Sequence, residues 1–144
     1  MKLLQNRRVW RGILVLMFFP LALIAFWPSP VDQPIQGQLV RGLYLLHRQG
    51  VPTWVNYAAI EAAANIAIFI PLGIVSSLAF PAKLWWQLAA LGMLVSGCIE
   101  LGQLLFLHDR FATLSDVVTN TAGAALGALT VKLFRQNVRA LGAT

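Results

Sequence analysis

Residues 100–127, ELGQLLFLHDRFATLSDVVTNTAGAALG, place carboxylates, amides and an arginine at the edges of two strongly apolar segments. In a bilayer, an ionisable side chain is costly unless it is paired, faces a wet cavity or lies near the interface. A membrane segment therefore keeps such residues only for a structural or a chemical reason. We expect this stretch to organise both the packing and the site, through Glu100, Gln103, Arg110, Asp116 and Asn120.

The composition is that of an integral membrane protein. Of the 144 residues, 58% are hydrophobic and 11% are charged, and the mean hydropathy is +0.71, whereas soluble domains are about 25% charged. The net charge of +6 does not indicate a nucleic-acid partner, because the cations lie mostly at the ends of apolar runs, as membrane topology signals do. The single cysteine, Cys98, excludes an intrachain disulfide and a thiolate metal cluster. We expect one transmembrane domain over 1–144.

The first apolar run predicts a membrane helix over 9–27. At about 1.5 Å per residue this helix is about 28 Å long, which is enough to cross a bilayer. A basic start followed by a short apolar stretch also fits a cleaved signal peptide. A retained helix is favoured, because no A-x-A-like site follows and Phe26-Trp27-Pro28 is a poor peptidase substrate.

Three further apolar runs predict membrane helices over 58–80, 84–107 and 114–134. With the first helix they form an all-α membrane protein, a compact bundle of four transmembrane helices. The polar segment 28–57 connects the first two spans. It is the first outer loop because the basic amino terminus before the first span is expected to be cytoplasmic.

Four residues inside these spans are expected to shape the packing. Pro71 leaves the carbonyl of Ala67 without its helical donor, which predicts a kink in the second helix. Gly73, two residues on, gives the kinked backbone room or lets a neighbour approach. Gly123 and Gly127 form a small-xxx-small pair, which favours close contact between helices.

The first outer loop contains a periodic segment of its own. Leu39, Val40, Leu43 and Leu46 recur at helical spacing. This pattern fits either a short interfacial helix on the outer membrane face or an ordinary loop helix packed over the bundle.

Charge near the helix ends predicts the topology. Cytoplasmic segments of membrane proteins carry an excess of Lys and Arg. Placing both termini in the cytoplasm puts these cations on the inner side: Lys2, Arg7, Arg8, Arg11, Lys83, Lys132, Arg135 and Arg139. The outer side then keeps only Arg41, Arg48 and Arg110.

This topology brings polar groups from three helices to one level. Counted from the outer helix ends at about 1.5 Å per residue, three of them lie roughly 9–10 Å below the outer boundary: Asn65, Glu100 and Asn120. The others lie one turn nearer the surface or in the loop above: Glu61, Gln103, Asp116 and Arg110.

This cluster can be interpreted either as a structural clamp or as a chemical site. Glu100, Arg110 and Asp116 can act as an ion-pair clamp, helped by interhelical hydrogen bonds typically worth about 1 kcal/mol or less. The cluster exceeds what clamping requires, because it sets up to three acids against one arginine. Two carboxylates near an arginine can be driven to different pKa values, as one site needs for an acid and a base.

We therefore expect a site with Glu100 and Asp116 as its catalytic pair. The expected substrate-binding residues are Arg110, Asn65, Gln103, Asn120 and Glu61. Arg110 would bind an anionic headgroup, and the amides would orient it. No cofactor or metal is predicted, because the chain has two histidines and no H-E-x-x-H or similar spacing.

These residues stand in motifs that resemble the VanZ-like family of small bacterial membrane proteins. The motifs are NIAIFIPLG (65–73), Glu100-Leu-Gly-Gln103, Arg110, and Asp116-Val-Val-Thr-Asn120-Thr-Ala-Gly123 with Gly127. The resemblance covers 58–134, and the first helix agrees in position only. The family positions that carry over are Asn65, Pro71, Gly73, Glu100, Gln103, Arg110, Asp116, Asn120 and Gly123.

The resemblance implies a four-helix protein of the bacterial inner (cytoplasmic) membrane, in a family named after a member that gives low-level teicoplanin resistance. From it and from the polar cluster, we expect an outer-leaflet site that binds or modifies a lipid-linked or cell-wall headgroup. The expected partners are membrane lipids and an anionic lipid-linked or cell-wall precursor. The alternative is a non-catalytic membrane binder, transporter or accessory subunit that uses the same cluster for helix packing.

Overall fold

The computed structural model describes residues 6–27, 33–107 and 113–141. The helices in these ranges are α1 (Arg7–Ala25), α2 (Gln36–Arg48), α3 (Tyr57–Ala79), α4 (Trp85–Phe106) and α5 (Leu114–Leu141), with a 3-10 turn (Gln33–Ile35) before α2. All regular structure in the described ranges is helical, and α1, α3, α4 and α5 are long and apolar enough to cross a membrane. The predicted all-α class with four spans is confirmed.

Polar caps fix where two of the spanning helices begin. The side chain of Asn6 accepts a hydrogen bond from the Arg8 N–H at the start of α1. Asn56 accepts one from the Ala59 N–H at the start of α3. Each cap satisfies one of the amides that the first turn of a helix leaves without a partner.

The helix α5 runs to Leu141, beyond the predicted end at 134. That end was placed where the apolar run stops. The following residues, RQNVRAL (135–141), contain neither glycine nor proline, so nothing local breaks the helix. Hydropathy predicts where a helix leaves the bilayer, and it does not predict where the helix ends.

A close contact between α3 and α5 is the centre of the bundle. Gly123 and Gly127 of α5 lie against the backbone carbonyls of Ile66 and Ile70, and Gly73 of α3 lies against the backbone of α5. A β-carbon at any of these glycines would overlap main-chain atoms of the opposite helix. The two backbones approach this closely because the side chains between them are absent.

The remaining spanning helices pack on this pair. α1 packs mainly on α3, and α4 packs mainly on α5. Ala124, which is 1% exposed, fills the junction, where it meets Gly73 of α3 and Gly92 of α4. α3 is continuous through Pro71, and the kink there stays a prediction.

The helix α2 lies in the predicted outer loop, where the periodicity indicated a helix. It buries Leu43 and leaves Val40, Tyr44 and other apolar side chains exposed. The Nε2 atom of His47 donates a hydrogen bond to the carbonyl of Val55 at 2.9 Å, which fixes the end of α2 against the segment before α3. Its position at the membrane interface stays a prediction.

Candidate functional site

A small polar cavity lies between α1, α3, α4 and α5 near one end of the bundle. Its volume is about 110 Å³, which is room for several water molecules and less than the roughly 300–1,000 Å³ of a drug-sized ligand pocket. Six predicted site residues line it: Glu61, Asn65, Glu100, Gln103, Asp116 and Asn120. The structure thus brings polar residues of three separate helices into one cavity, against an apolar wall that includes α1.

The carboxylate of Glu100 is enclosed at the start of α5. Glu100 is 8% exposed, and its Oε2 atom accepts a hydrogen bond from the Thr113 N–H at 2.8 Å. The Oγ1 atom of Thr113 in turn accepts one from the Asp116 N–H at 3.1 Å. Thr113 therefore links the two predicted catalytic residues, and the positive end of the α5 dipole stabilises negative charge beside it.

Asp116 is held from the opposite side by α3. The Nδ2 atom of Asn65 donates a hydrogen bond to Oδ1 of Asp116 at 2.8 Å. The depths estimated from the sequence set these residues about one turn apart. The direct bond shows that the two side chains meet between α3 and α5. The same two helices are therefore joined both by the close glycine contacts and by this hydrogen bond.

A second interhelical bond lies deeper in the bundle. The Nδ2 atom of Asn120 donates to the hydroxyl oxygen of Ser96 at 2.9 Å. Both side chains are buried, and Ser96 is 0% exposed. Ser96 is a nucleophile by residue type, but here it serves as the acceptor that joins α4 to α5.

Gln103 fixes the end of α1. Its Nε2 atom donates to the carbonyl of Ala25 at 2.7 Å, and the preceding Gly102 lies against the ring of Phe26. This bond gives the side-chain amide of Gln103 an anchoring contact in addition to its place on the cavity wall. Sequence patterns could not indicate the contact, because its acceptor is a main-chain atom of a helix with no matching motif.

Of the two remaining predicted substrate-binding residues, Glu61 lies at the cavity and Arg110 is not described by the structure. Glu61 lies on the cavity wall one helical turn before Asn65 and is exposed. Arg110 lies outside the described residues, so its predicted anion contact stays a prediction. The described cavity lining contains three carboxylates and neither Lys nor Arg. Among the described residues, no group of three or more His, Cys, Asp and Glu side chains could hold a metal ion.

An apolar groove lies beside the polar cavity, between α1 and α4. It has a volume of about 360 Å³ and is lined by Phe18, Leu21, Ala22, Phe26, Leu94, Val95, Cys98 and Ile99. Leu21 and Ile99 also line the polar cavity, so the two spaces share a wall. Sequence analysis missed this groove, since its residues are ordinary apolar positions of two helices distant in the chain.

Sequence analysis also missed Thr113. The pattern Thr113-Leu-Ser-Asp116 at the start of α5 is typical of a helix N-cap followed by an acidic residue three positions later. This pattern could have identified the cap. It could not have identified the contact with Glu100, which comes from another helix.

Fold and site together define a multi-pass helical membrane protein with carboxylates and amides gathered in a small cavity near one end of the bundle. The model of the VanZ/LLP1 family matches residues 12–135, which is most of the chain, and the chain belongs to this family. The match confirms the resemblance seen in the motifs and extends it over most of the first helix. No curated protein and no solved structure matches the chain.

Proposed function

We propose that this chain is a cell-envelope protein of the bacterial inner membrane whose polar cavity receives the headgroup region of a membrane lipid or a lipid-linked cell-wall precursor from the outer leaflet. The proposal rests on the wall that the polar cavity shares with the apolar groove, formed by Leu21 and Ile99. A lipid-linked substrate has the same two parts in the same order. Its acyl or polyprenyl chain suits the groove, and its polar linkage suits the cavity.

The size of the cavity limits what enters it. At about 110 Å³ it has room for a phosphate- or ester-sized group and a water molecule. A complete cell-wall headgroup exceeds this volume, so the larger part of such a headgroup would stay at the membrane surface. The cavity therefore selects for the linkage between the polar and apolar parts of the substrate.

Acid–base chemistry on that linkage is the activity that the carboxylates support best. A general base must lie within hydrogen-bond reach of the proton that it removes, and both Glu100 and Asp116 line a cavity with room for water. Their orientations are fixed by different donors, the Thr113 N–H and the Asn65 amide. The two carboxylates therefore have different surroundings, one against the backbone at the start of α5 and the other against a side-chain amide of α3.

The remaining predicted residues act in support of this pair. In the proposal, Asn65 orients Asp116 and Gln103 holds α1 beside the substrate, while Asn120 ties α5 to α4 deeper in the bundle. Glu61 lies where an entering polar group would pass. Arg110, which lies between α4 and α5 in the sequence, supplies the positive charge for an anionic headgroup.

A non-catalytic binder, transporter or accessory subunit is the second candidate. The observation that favours it is that each of the three amides in the cavity bonds to another helix: Asn65 to Asp116, Gln103 to Ala25, and Asn120 to Ser96. Such bonds are the ordinary means of holding a membrane bundle together. In this case the cavity recognises a headgroup or a partner helix without changing it.

The thiol of Cys98 provides a direct test of whether the apolar groove binds lipid. Cys98 is the single cysteine of the chain, is exposed and lines the groove. A thiol-reactive photo-crosslinker attached to it in the full-length protein, followed by reconstitution in native lipid extract, should capture one class of lipid several-fold above its share of the bilayer. Mass spectrometry of the cross-linked product identifies the headgroup.

The matched control moves the thiol to another lipid-facing position. In Cys98→Ser/Leu126→Cys the thiol lies on α5, at a position that is 49% exposed in the wild type and lies outside the groove lining. This control should capture lipids in their bulk proportions. If both positions capture bulk lipid equally, the groove is not a selective lipid site and the proposal fails.

The outer-leaflet placement makes a separate prediction. Thr53, before α3, and Lys83, after it, are exposed residues at opposite ends of one spanning helix. In a Cys98→Ser background, Thr53→Cys should react with a membrane-impermeant maleimide in intact spheroplasts, whereas Lys83→Cys should react only after permeabilisation. The reverse pattern would place the polar cavity at the cytoplasmic leaflet.

A further inference from the structure

A second cavity, rich in cations, lies at the opposite end of the bundle. It has a volume of about 390 Å³ and lies between the α3–α4 turn and the last turns of α5. Its cationic lining residues are Lys83, Lys132, Arg135 and Arg139. No acidic residue belongs to its described lining, and the described acids of the chain, Glu61, Glu100 and Asp116, all line the other cavity.

The cations on α5 form one wall of this cavity. Lys132, Arg135 and Arg139 follow one another at spacings of three and four, so they share a helix face. The guanidinium of Arg135 donates to the carbonyl of Ser77 in the last turn of α3 at 3.3 Å. This contact holds α5 against α3 and sets the position of the wall relative to the α3–α4 turn.

Topology alone does not account for this arrangement. The rule for cytoplasmic charge is met by cations anywhere near the helix ends. Here they line a concave space together with the apolar side chains of Leu84 and Leu88. Trp85 and Trp86, which are 37% and 53% exposed, complete the lining, and tryptophan is the residue that favours the headgroup level of a bilayer.

We infer that this cavity binds the phosphate-bearing headgroup of an anionic phospholipid. The four cations supply the charge that a phosphate requires, and basic pockets between transmembrane helices are suited to such headgroups. The apolar and tryptophan residues favour a ligand that remains in the bilayer over a soluble phosphate. The site is separate from the polar cavity and does not depend on the function proposed for it.

Lipid retention in the full-length protein tests the inference. The protein is reconstituted in vesicles of phosphatidylglycerol and phosphatidylcholine in equal amounts and re-extracted in mild detergent, and the dissociation constants of the 1:1 lipid complexes are measured by native mass spectrometry. The wild type should prefer phosphatidylglycerol by at least about thirtyfold. Lys132→Gln/Arg139→Gln should weaken phosphatidylglycerol binding by about thirtyfold with little effect on phosphatidylcholine.

The control removes the same charge from the same end of the bundle. Arg11 lies over the ring of Phe80 at 5.3 Å, which places the start of α1 at the end of α3. Arg7 and Arg8 are exposed there and do not line the cavity. Arg7→Gln/Arg8→Gln should therefore keep the lipid preference of the wild type.

Further variants test whether a loss of lipid binding comes from misfolding. They either keep the charge or change a residue outside the helices. Lys132→Arg/Arg139→Lys should retain the preference. If the glutamine double variant does not fold, Lys83→Gln in the exposed α3–α4 turn replaces it and should weaken phosphatidylglycerol binding by about fivefold. The single variant Arg8→Gln is its control and should bind as the wild type does.

Three results would overturn the inference. The wild type could show no preference for phosphatidylglycerol, or the control double variant could lose as much affinity as the site variant, which would mean diffuse surface charge. Glycerol 3-phosphate, a headgroup without acyl chains, could also displace the lipid at equal concentration. That result would identify a soluble phosphate as the ligand.

Discussion

Glu100→Gln is expected to abolish the proposed acid–base activity while leaving the fold intact. The variant keeps an oxygen where Oε2 accepts the hydrogen bond of the Thr113 N–H, so the start of α5 keeps its contact with α4. The glutamine amide cannot take up or release a proton in the way that general acid or base catalysis requires. Loss of a positioned acid or base typically lowers turnover by about 10²–10⁴-fold, and we expect a loss in this range.

The measurement compares lipid profiles of membranes that contain the wild type, the variant or neither. Mass spectrometry should detect a lipid or lipid-linked species whose level depends on the wild-type protein, and the variant should return that level to the one found without the protein. The melting temperature of the purified variant should stay close to that of the wild type. An unchanged lipid profile at full expression of Glu100→Gln would exclude a catalytic role for this residue.

Ser96→Ala is the matched control, since Ser96 lies one helical turn from Glu100 on α4 and accepts a buried interhelical hydrogen bond without lining the cavity. Its loss should cost about 1 kcal/mol of stability or less and leave the lipid change in place. The two variants thus separate chemistry from packing. If both lower the melting temperature and neither alters the lipid profile, the cluster is a packing clamp.

Gly127→Ala is expected to destabilise the bundle strongly. The added β-carbon would overlap the carbonyl oxygen of Ile70 and lie 2.9 Å from the amide nitrogen of Ile74. Overpacking typically costs about 1–3 kcal/mol, and the upper part of this range applies because the obstructing atoms belong to a backbone. In thermal unfolding of the purified protein, the melting temperature should fall by roughly 10 °C.

Gly97→Ala on α4 provides the control for this variant, because a β-carbon there has nothing within 4 Å. Its melting temperature should be equal to that of the wild type or slightly higher, since alanine favours the helix. Separation of α3 from α5 should also stretch the bond between Asn65 and Asp116, so Gly127→Ala should reduce function together with stability. Equal melting temperatures for both alanine variants would contradict the close contact.

The residues of the polar cavity could be predicted from sequence for a reason particular to membranes. Glu100 and Asp116 are conspicuous because charge in an apolar run is costly, and counting residues along the helices placed Asn65 and Asn120 near them. The partners could not be predicted in the same way. Thr113 joins Glu100 to Asp116 through its backbone amide and hydroxyl, a contact that depends on the relative height of two helices.

The amides show the same division. The spacing of Asn65, Gln103 and Asn120 predicted polar groups on helices that meet, and the structure places all three on one cavity. It also gives each a partner on another helix, including the carbonyl of Ala25 on α1. A main-chain acceptor carries no sequence signal, so this anchoring contact could not have been inferred.

The sequence by itself determined the class, the number of spans and the polar residues that line the cavity, because the bilayer acts on each residue separately through the cost of its polar groups. The tertiary structure alone decided which polar groups pair, how far α5 extends, and that Leu21 and Ile99 form a wall shared by a polar cavity and an apolar groove. Those features depend on the rotation and relative height of neighbouring helices. These follow from the packing of glycines against backbone between helices far apart in the chain, and periodicity within one helix does not encode them.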